Sequence, residues 1–178
     1  MAGSQGTIRY IQNTGTVTFR VAGRGTMTQG MSLRRQAEHC FACGIAVRVD
    51  LRDCTYMDST FIGTLLKLQM MADHRGANRF AVLAPSDACE RSFEQMGLTD
   101  VLETEPAAPL PADGWVELSC EVNDLTLFKR NIEQAHEELA KLPGPAGEQF
   151  QQAVRVLKKA DPAPPNPATP NATPQSRD

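Results

Sequence analysis

The sequence predicts an α/β fold, in which helices are packed on a mixed β-sheet and a helical hairpin forms the C-terminal extension. Strand-like alternation and helix-like periodicity follow one another from residue 45 to residue 103, which is typical of βα units with parallel pairing. A pair of alternating segments stands in front of these units and adds an antiparallel element. Two apolar stripes of helical spacing come after residue 120 and predict the hairpin.

The composition argues against several classes of protein. The 178 residues, of which 41% are hydrophobic, suit one domain of ordinary size with extensions. The formal charge of -3 argues against a nucleic-acid-binding surface. The sequence contains no apolar run of about 18 residues, so no membrane span is predicted. The first residues do not resemble a signal peptide. The five cysteines have no framework spacing, which favours free thiols and a cytoplasmic location.

The first elements are a β-hairpin and a helix. Residues 7–22 alternate on both sides of a turn at residues 13–15, and residues 23–25 (GRG) are interpreted as a second turn. The helix that follows should end near Gly44 in a left-handed cap. Its apolar face consists of Leu33, Ala37, Cys40 and Phe41.

Alternating strands and helices fill the next segment. Residues 45–51 predict a strand, residues 62–70 an apolar helix that ends near Gly76, and residues 80–83 a buried strand. Asp87 and Glu90 resemble a capping box at the start of a further helix. Val101 and Leu102 are interpreted as a last short strand.

The remaining chain divides into three parts. Residues 104–114 form a Pro/Ala-rich connector, which closes a domain predicted over residues 1–120, with a further strand at 115–118. Residues 121–160 predict the helical hairpin, and residues 161–178, with six prolines, predict a disordered tail. The first hairpin helix carries an apolar seam at 3-4 spacing. The seam comprises Leu125, Phe128, Ile132, Ala135, Leu139 and Leu142.

That seam is too apolar to remain in water, and it has two possible partners. The hairpin can fold back on its own domain, or it can pair with a second copy of the chain. The 3-4 spacing is typical of helix–helix packing, and we therefore expect a homodimer through residues 121–160.

A polar corner between a strand and an apolar helix is the candidate site. Asp58, Ser59 and Thr60 stand where an N-cap belongs, and such residues commonly satisfy the free N–H groups of a helix. The same geometry would present a hydroxyl beside the positive end of the helix dipole, where a phosphate is tolerated. Residue chemistry alone leaves both roles open.

The segment VRVDLRDCTYMDSTFIGTLL, residues 47–66, resembles the core motif of the STAS domain family of anti-sigma factor antagonists. The resemblance extends over about residues 7–103 and implies a STAS-like fold. It implies that Ser59 accepts phosphate from a serine kinase that is also an anti-sigma factor, and that a phosphatase resets it. Asp58 would then be the acidic neighbour and Thr60 the second hydroxyl.

Two positions depart from the family pattern. Phe61 stands where the family has glycine, and its ring is expected to cover the site or to form a new contact. Thr26 stands where family members often have aspartate, so a hydroxyl replaces a carboxylate at the rim. The alternative function keeps the fold without the switch, as a STAS scaffold that recruits partners through its helices.

The hypothesis that the protein is an enzyme, for instance a thiol oxidoreductase, depends on Cys40 and Cys43. This CxxC pair lies at a predicted helix C-terminus, where the dipole disfavours a thiolate. Zinc would need two further ligands at matching spacing. We therefore predict a non-enzymatic protein without metal or cofactor, a buried Cys40, and solvated or capping roles for His74 and His136.

Overall fold

A computed structural model describes residues 6–76, 79–107, 109–120 and 124–160. Its sheet has six strands in the order β5-β4-β3-β2-β1-β6. The strands are β1 (Thr7–Asn13), β2 (Thr16–Gly25), β3 (Ala46–Met57), β4 (Phe80–Leu83), β5 (Thr104–Glu105) and β6 (Val116–Glu117). The helices are α1 (Met27–Ala42), α2 (Ser59–Asp73), α3 (Asp87–Gln95), α4 (Leu125–Leu139) and α5 (Pro145–Ala160). The predicted mixed sheet with packed helices and a C-terminal hairpin is confirmed.

The two halves of the sheet differ in strand direction. β1 pairs antiparallel with β2 and with β6, whereas β2, β3, β4 and β5 pair parallel. The parallel strands are joined by helices, as right-handed crossover connections require. The core lies where α1, α2 and α3 pack on the sheet, and its largest fully buried side chains include Phe19, Leu33, Phe61 and Phe80.

The turn predicted at residues 23–25 is wrong. β2 continues to Gly25, and its pairing with β3 shifts register between Arg20 and Ala22 and again between Gly23 and Arg24. Gly23 has a φ of 77°, a left-handed conformation that glycine adopts without steric cost. The glycines therefore permit bulges within a strand instead of ending it.

The last parallel strand lies three residues beyond its predicted place. Val101 and Leu102 lie in a turn, and Leu102 N–H bonds to Leu98 O. The strand is Thr104–Glu105, inside the predicted connector, and it pairs with β4 through backbone atoms. An edge strand of two residues needs no apolar alternation, so Thr104 and Glu105 carry no strand pattern in the sequence. The prediction was therefore placed on the nearby apolar pair, Val101 and Leu102.

The helix predicted from Asp87 is capped by its neighbour. Ser86 is the N-cap, and its hydroxyl accepts from Cys89 N–H, while Asp87 is the first helical residue. The left-handed glycine predicted after the first helix is confirmed, since Gly44 has a φ of 73°. The strand expected at residues 115–118 is β6, and it pairs with β1.

The helical hairpin folds back on its own domain. α4 packs along α2, and Ala135, Leu139 and Leu142 of the seam are buried. Leu125, at the start of the seam, remains 76% exposed. The C-terminal half of the seam therefore has a partner within the chain, and a homodimer stays a prediction for its exposed beginning.

The predicted tail, residues 161–178, lies outside the described residues. Within the part of the chain that the structure describes, no helix has the length and apolarity needed to cross a membrane.

Candidate functional site

The polar corner lies at a junction between strand and helix. β3 ends at Met57, Asp58 is the N-cap of α2, and Ser59 is the first helical residue. The change from strand alternation to helical spacing therefore occurs where the sequence indicated it. The neighbouring residues Thr26, Thr60 and Phe61 take different roles.

Asp58 holds the starts of two helices. Its Oδ1 accepts from Phe61 N–H at 2.8 Å within α2, and its Oδ2 accepts from Met27 N–H at 2.9 Å at the start of α1. Its own N–H donates to Gly25 O, at the end of β2. Both carboxylate oxygens are thus used for capping, which ties α1, α2 and β2 together at the site.

Thr26 is the N-cap of α1, close to Asp58. Gln29 Oε1 accepts from Thr26 N–H at 3.2 Å, as in a capping box. The hydroxyl of Thr26 also contacts Gln29 Oε1. Thr26 therefore supports the helix start beside the carboxylate of Asp58.

Phe61 and Thr60 both point away from solvent. Phe61 is fully buried, and a Cβ placed on Gly25 would lie 2.9 Å from its ring. Its ring fills the space that two glycines, Gly25 and Gly30, leave open, so of the two expected roles it forms a new contact and does not cover the corner. Thr60 is 5% exposed, so Ser59 is the accessible hydroxyl of this pair.

Ser59 is partly covered by the hairpin. Its Oγ lies 3.1 Å from Nε2 of His136, on α4. The ring of His136 stacks on Phe150 of α5, with 5.6 Å between centroids. Burial lowers the pKa of His136, although the charge of Asp58 partly opposes this shift. Burial therefore favours the neutral form of the imidazole beside the hydroxyl.

His136 is the site residue that sequence reasoning missed. The sequence predicts a solvated or capping role for it, whereas in the structure it contacts Ser59. The two residues are 77 positions apart in the sequence. No motif joins the two residues. The only available indication was its position next to Ala135 in the apolar seam, which places it near the buried side of the helix.

A row of residues on α2 meets α4 at intervals of four. Besides Ser59, this row contains Gly63 and Lys67. A Cβ on Gly63 would lie 2.5 Å from the backbone oxygen of Ala135, so only glycine permits this approach of the two helices. Lys67 Nζ lies 2.7 Å from Oε1 of Glu138.

Glu138 links the hairpin to the domain. It is 4% exposed and also receives a hydrogen bond from Lys141 at 2.8 Å. Burial opposes its ionisation, but the hydrogen bonds and charges of Lys141 and Lys67 outweigh this and lower its pKa. Arg34 of α1 adds contacts to Gln134 at 2.6 Å and to Asn131 at 3.2 Å. We use the name docking contacts for the contacts made by these residues and by His136: Arg34, Lys67, Asn131, Gln134, His136, Glu138 and Lys141.

The cysteines are arranged for packing. Cys40 is buried at the C-terminal end of α1, and burial raises its pKa, with Cys43 adding to the shift. Cys54 and Cys89, which are distant in sequence, meet in the core, where Cys89 Sγ lies 3.8 Å from Cys54 O. Among the described residues no group of three His, Cys, Asp or Glu side chains has the geometry to hold a metal ion.

One protein family and several solved structures resemble this chain. The family model described as "Mlab, STAS domain" matches residues 8–104. The chain is similar to the solved anti-sigma factor antagonist SpoIIAA in its unphosphorylated form, at 20% identity and a TM-score of 0.49, over 57% of this chain and 88% of that one.

Two further solved structures are similar at the same level. The Bacillus cell fate determinant SpoIIAA in the phosphorylated form has 19% identity and a TM-score of 0.48, over 57% of this chain and 91% of that one. An anti-sigma factor antagonist from Mycobacterium paratuberculosis has 20% identity and a TM-score of 0.48, over 60% and 90%. A search of curated proteins finds no match.

Proposed function

The chain belongs to the STAS domain family, and we propose that it is a non-enzymatic, cytoplasmic regulator of the anti-sigma factor antagonist type. In this proposal Ser59 accepts a phosphate from a serine kinase partner. The observation that carries it is the position of Ser59, the first residue of α2, directly after a strand and next to the capping carboxylate of Asp58. The motif around Ser59 resembles the phosphoacceptor motif of the family.

The proposed reaction is phosphoryl transfer from ATP bound to the kinase. Ser59 Oγ forms a bond to the γ-phosphorus, and the bond between that phosphorus and the oxygen bridging to the β-phosphate breaks. ADP leaves with the bond electrons, and the hydroxyl proton passes to a base of the kinase. Because this chain supplies only the nucleophile, it is a substrate in the reaction.

Phosphate at Ser59 would act mainly on binding. It adds about -1.5 to -2 charges at pH 7, beside the positive end of the α2 dipole and close to the carboxylate of Asp58. These two effects have opposite signs, so the domain itself should remain folded. A partner surface that fits the neutral hydroxyl would be repelled by charge and size, and a phosphatase would restore binding.

A scaffold without a switch is the second candidate function. It is favoured by one observation, the coverage of Ser59 by His136 of the hairpin. In that case the chain would recruit its partner through helix surfaces, and the hydroxyl would serve the fold alone.

Intact-mass analysis separates the two functions. The full chain is incubated with purified serine kinases of the anti-sigma type and Mg-ATP, alongside Ser59→Ala. We expect the mass of one phosphate on the unchanged chain and none on the variant, with Ser59 identified by peptide fragmentation. A phosphate at another residue, or no phosphate with any kinase that binds the chain, would contradict the switch.

Binding measurements complete the test. We expect the kinase to bind the unmodified chain and Ser59→Ala with similar affinity, and Ser59→Asp at least about tenfold more weakly, the equivalent of about 1.4 kcal/mol. Equal affinities of all three proteins would favour the scaffold.

A further inference from the structure

The docked hairpin blocks the hydroxyl that the proposed function requires. A serine that receives a phosphoryl group needs free space in front of Oγ, both for the approaching phosphorus and for the three further oxygens of the product. In the structure this space is occupied by the imidazole of His136, at 3.1 Å. A phosphoserine and the docked His136 therefore cannot share this position.

The hydrogen bond from His136 also lowers the reactivity of Ser59 Oγ as a nucleophile. His136 Nδ1 is buried and has no hydrogen-bond partner among the residues that the structure describes. A proton on Nδ1 would be left unsatisfied, which is costly, whereas an unpaired lone pair there costs less. The proton therefore belongs on Nε2, so His136 donates to Ser59 Oγ and occupies a lone pair that nucleophilic attack would use.

The hairpin contacts are of a kind that can open. Besides the apolar residues Ala135 and Leu139, the hairpin is held by amide hydrogen bonds and by two ion pairs, in which the buried Glu138 faces partly exposed cations, Lys67 at 30% and Lys141 at 60% side-chain exposure. Interfaces of this polar type between units of one chain resemble transient ones. The hairpin also lies beyond residues 8–104, the part of the chain that matches the STAS family model.

We propose that the α4–α5 hairpin is a reversible cover of Ser59, and that its release from α2 controls access to the hydroxyl. The kinase, or another protein that binds the hairpin, must displace α4 before Ser59 can react. This inference rests on the proposed function for its biological meaning, but the cover itself can be measured without any kinase.

Thiol labelling measures the cover directly. Ser59→Cys is introduced into the full chain with Cys43→Ser, which removes an exposed native thiol. The rate of reaction of residue 59 with 5,5′-dithiobis(2-nitrobenzoic acid) is followed by absorbance, and peptide mass analysis assigns the modified cysteine. In this reference protein we expect slow labelling.

Gly63→Ala is the releasing variant. Its Cβ would lie 2.5 Å from the backbone oxygen of Ala135, so α4 must move away, whereas alanine itself favours the helical conformation of α2. Gly30→Ala is the matched control, because the three atoms nearest to its Cβ belong to Thr64 and Phe61, at 3.1–3.6 Å, and none of them belongs to α4. We expect Gly63→Ala to accelerate labelling at least about tenfold and Gly30→Ala to leave it nearly unchanged.

A second releasing variant avoids any change in α2. Glu138→Lys places a third cation between Lys67 and Lys141, so it should also accelerate labelling. Equal labelling rates in the reference and both releasing variants would overturn the proposal. Equal acceleration by Gly30→Ala would also overturn it, because the effect would then come from general loosening.

The same variants separate this inference from the proposed function. If the hairpin controls labelling but no anti-sigma-type kinase phosphorylates Ser59, the cover is real and the phospho-switch is wrong. If Ser59 is phosphorylated at equal rates in the original chain and in Gly63→Ala, the switch is real and the cover does not control it.

Discussion

Helix α2 has two faces of different chemistry, and they hold its two neighbours with different strength. The inner face places Phe61, Leu65 and Leu68 in the core, all fully buried. The outer face presents Ser59, Gly63 and Lys67 to α4, through a hydrogen bond, a close backbone approach and an ion pair. The inner face therefore belongs to the core, whereas the outer face carries the contacts to the hairpin that the proposed cover would release.

This difference follows from how each contact responds to water. Burial of apolar side chains is lost only when the core opens, and no solvent molecule replaces it. On the outer face, the cations Lys67 and Lys141 and the amide contacts of Arg34 are partly exposed, and water replaces such contacts at small net cost, although their partner Glu138 is itself buried. Substitutions on the inner face should thus change the unfolding of the whole domain, whereas substitutions on the outer face should change the local opening of α4.

The largest effect is expected on the inner face. Phe61→Ala should lower the free energy of unfolding by about 3–5 kcal/mol, because it leaves a cavity under Gly25 and Gly30. Urea denaturation of the whole domain measures this loss. Phe150→Ala is the control, since this partly buried ring contacts His136 on the hairpin and should change domain stability much less. Equal losses would remove the distinction between the faces.

Asp58, at the boundary between the faces, should have the next largest effect. Asp58→Ala removes caps from the starts of α1 and α2, and at about 1 kcal/mol for each cap the loss is about 2 kcal/mol. Thermal unfolding measures it. Asp124→Ala removes the cap of α4 alone, so its effect should stay within the hairpin. An unchanged melting temperature for Asp58→Ala would contradict the double cap.

A smaller and more local effect is expected on the outer face. Glu138→Gln weakens the contacts to Lys67 and Lys141, and we expect hydrogen exchange in α4 to become about tenfold faster, equivalent to about 1.4 kcal/mol. Glu137→Gln is the matched control, because Glu137 pairs with Lys158 inside the hairpin. Faster exchange throughout the sheet would show that the outer face also supports the core.

The smallest effect is a dependence of docking on pH. Burial lowers the pKa of the docked His136, so below its ordinary value of about 6.5 the undocked state binds more protons. The neutral His136 therefore supports docking fully at pH values well above about 6.5, and this support declines as the pH falls from about 6.5 toward the depressed pKa. The carboxylate of Asp58 reduces this effect, and Glu138 titrates only at lower pH.

Labelling of the Ser59→Cys protein measures this dependence, after correction for the ionisation of a free thiol. We expect labelling to become a few-fold faster, relative to that correction, between about pH 7.5 and about pH 5.5. His136→Gln keeps a donor but does not titrate, so its corrected rate should remain flat. A slope of the same size in that variant would assign the effect to another group.

The layers of this protein and the location of the polar corner follow from the sequence alone. Both depend on local patterns: the alternation in β2 and β3, the apolar run of α2, and an aspartate–serine pair that begins a helix. Where a backbone exception replaced the pattern, as at the bulges of residues 23–25 or the edge strand Thr104–Glu105, the prediction failed.

The surroundings of Ser59, in contrast, depend on how the chain folds back on itself. His136 meets Ser59, while its neighbours Ala135 and Glu138 meet Gly63 and Lys67 on the same face of α2. All three come from a helix far along the chain, and they form no sequence motif with the serine. The apolar seam required a partner but did not specify it, because the hydrophobic effect has no direction and α2 or a second copy would serve equally. The shape of α2 makes it the partner of the seam, because Gly63 leaves room for the backbone of α4.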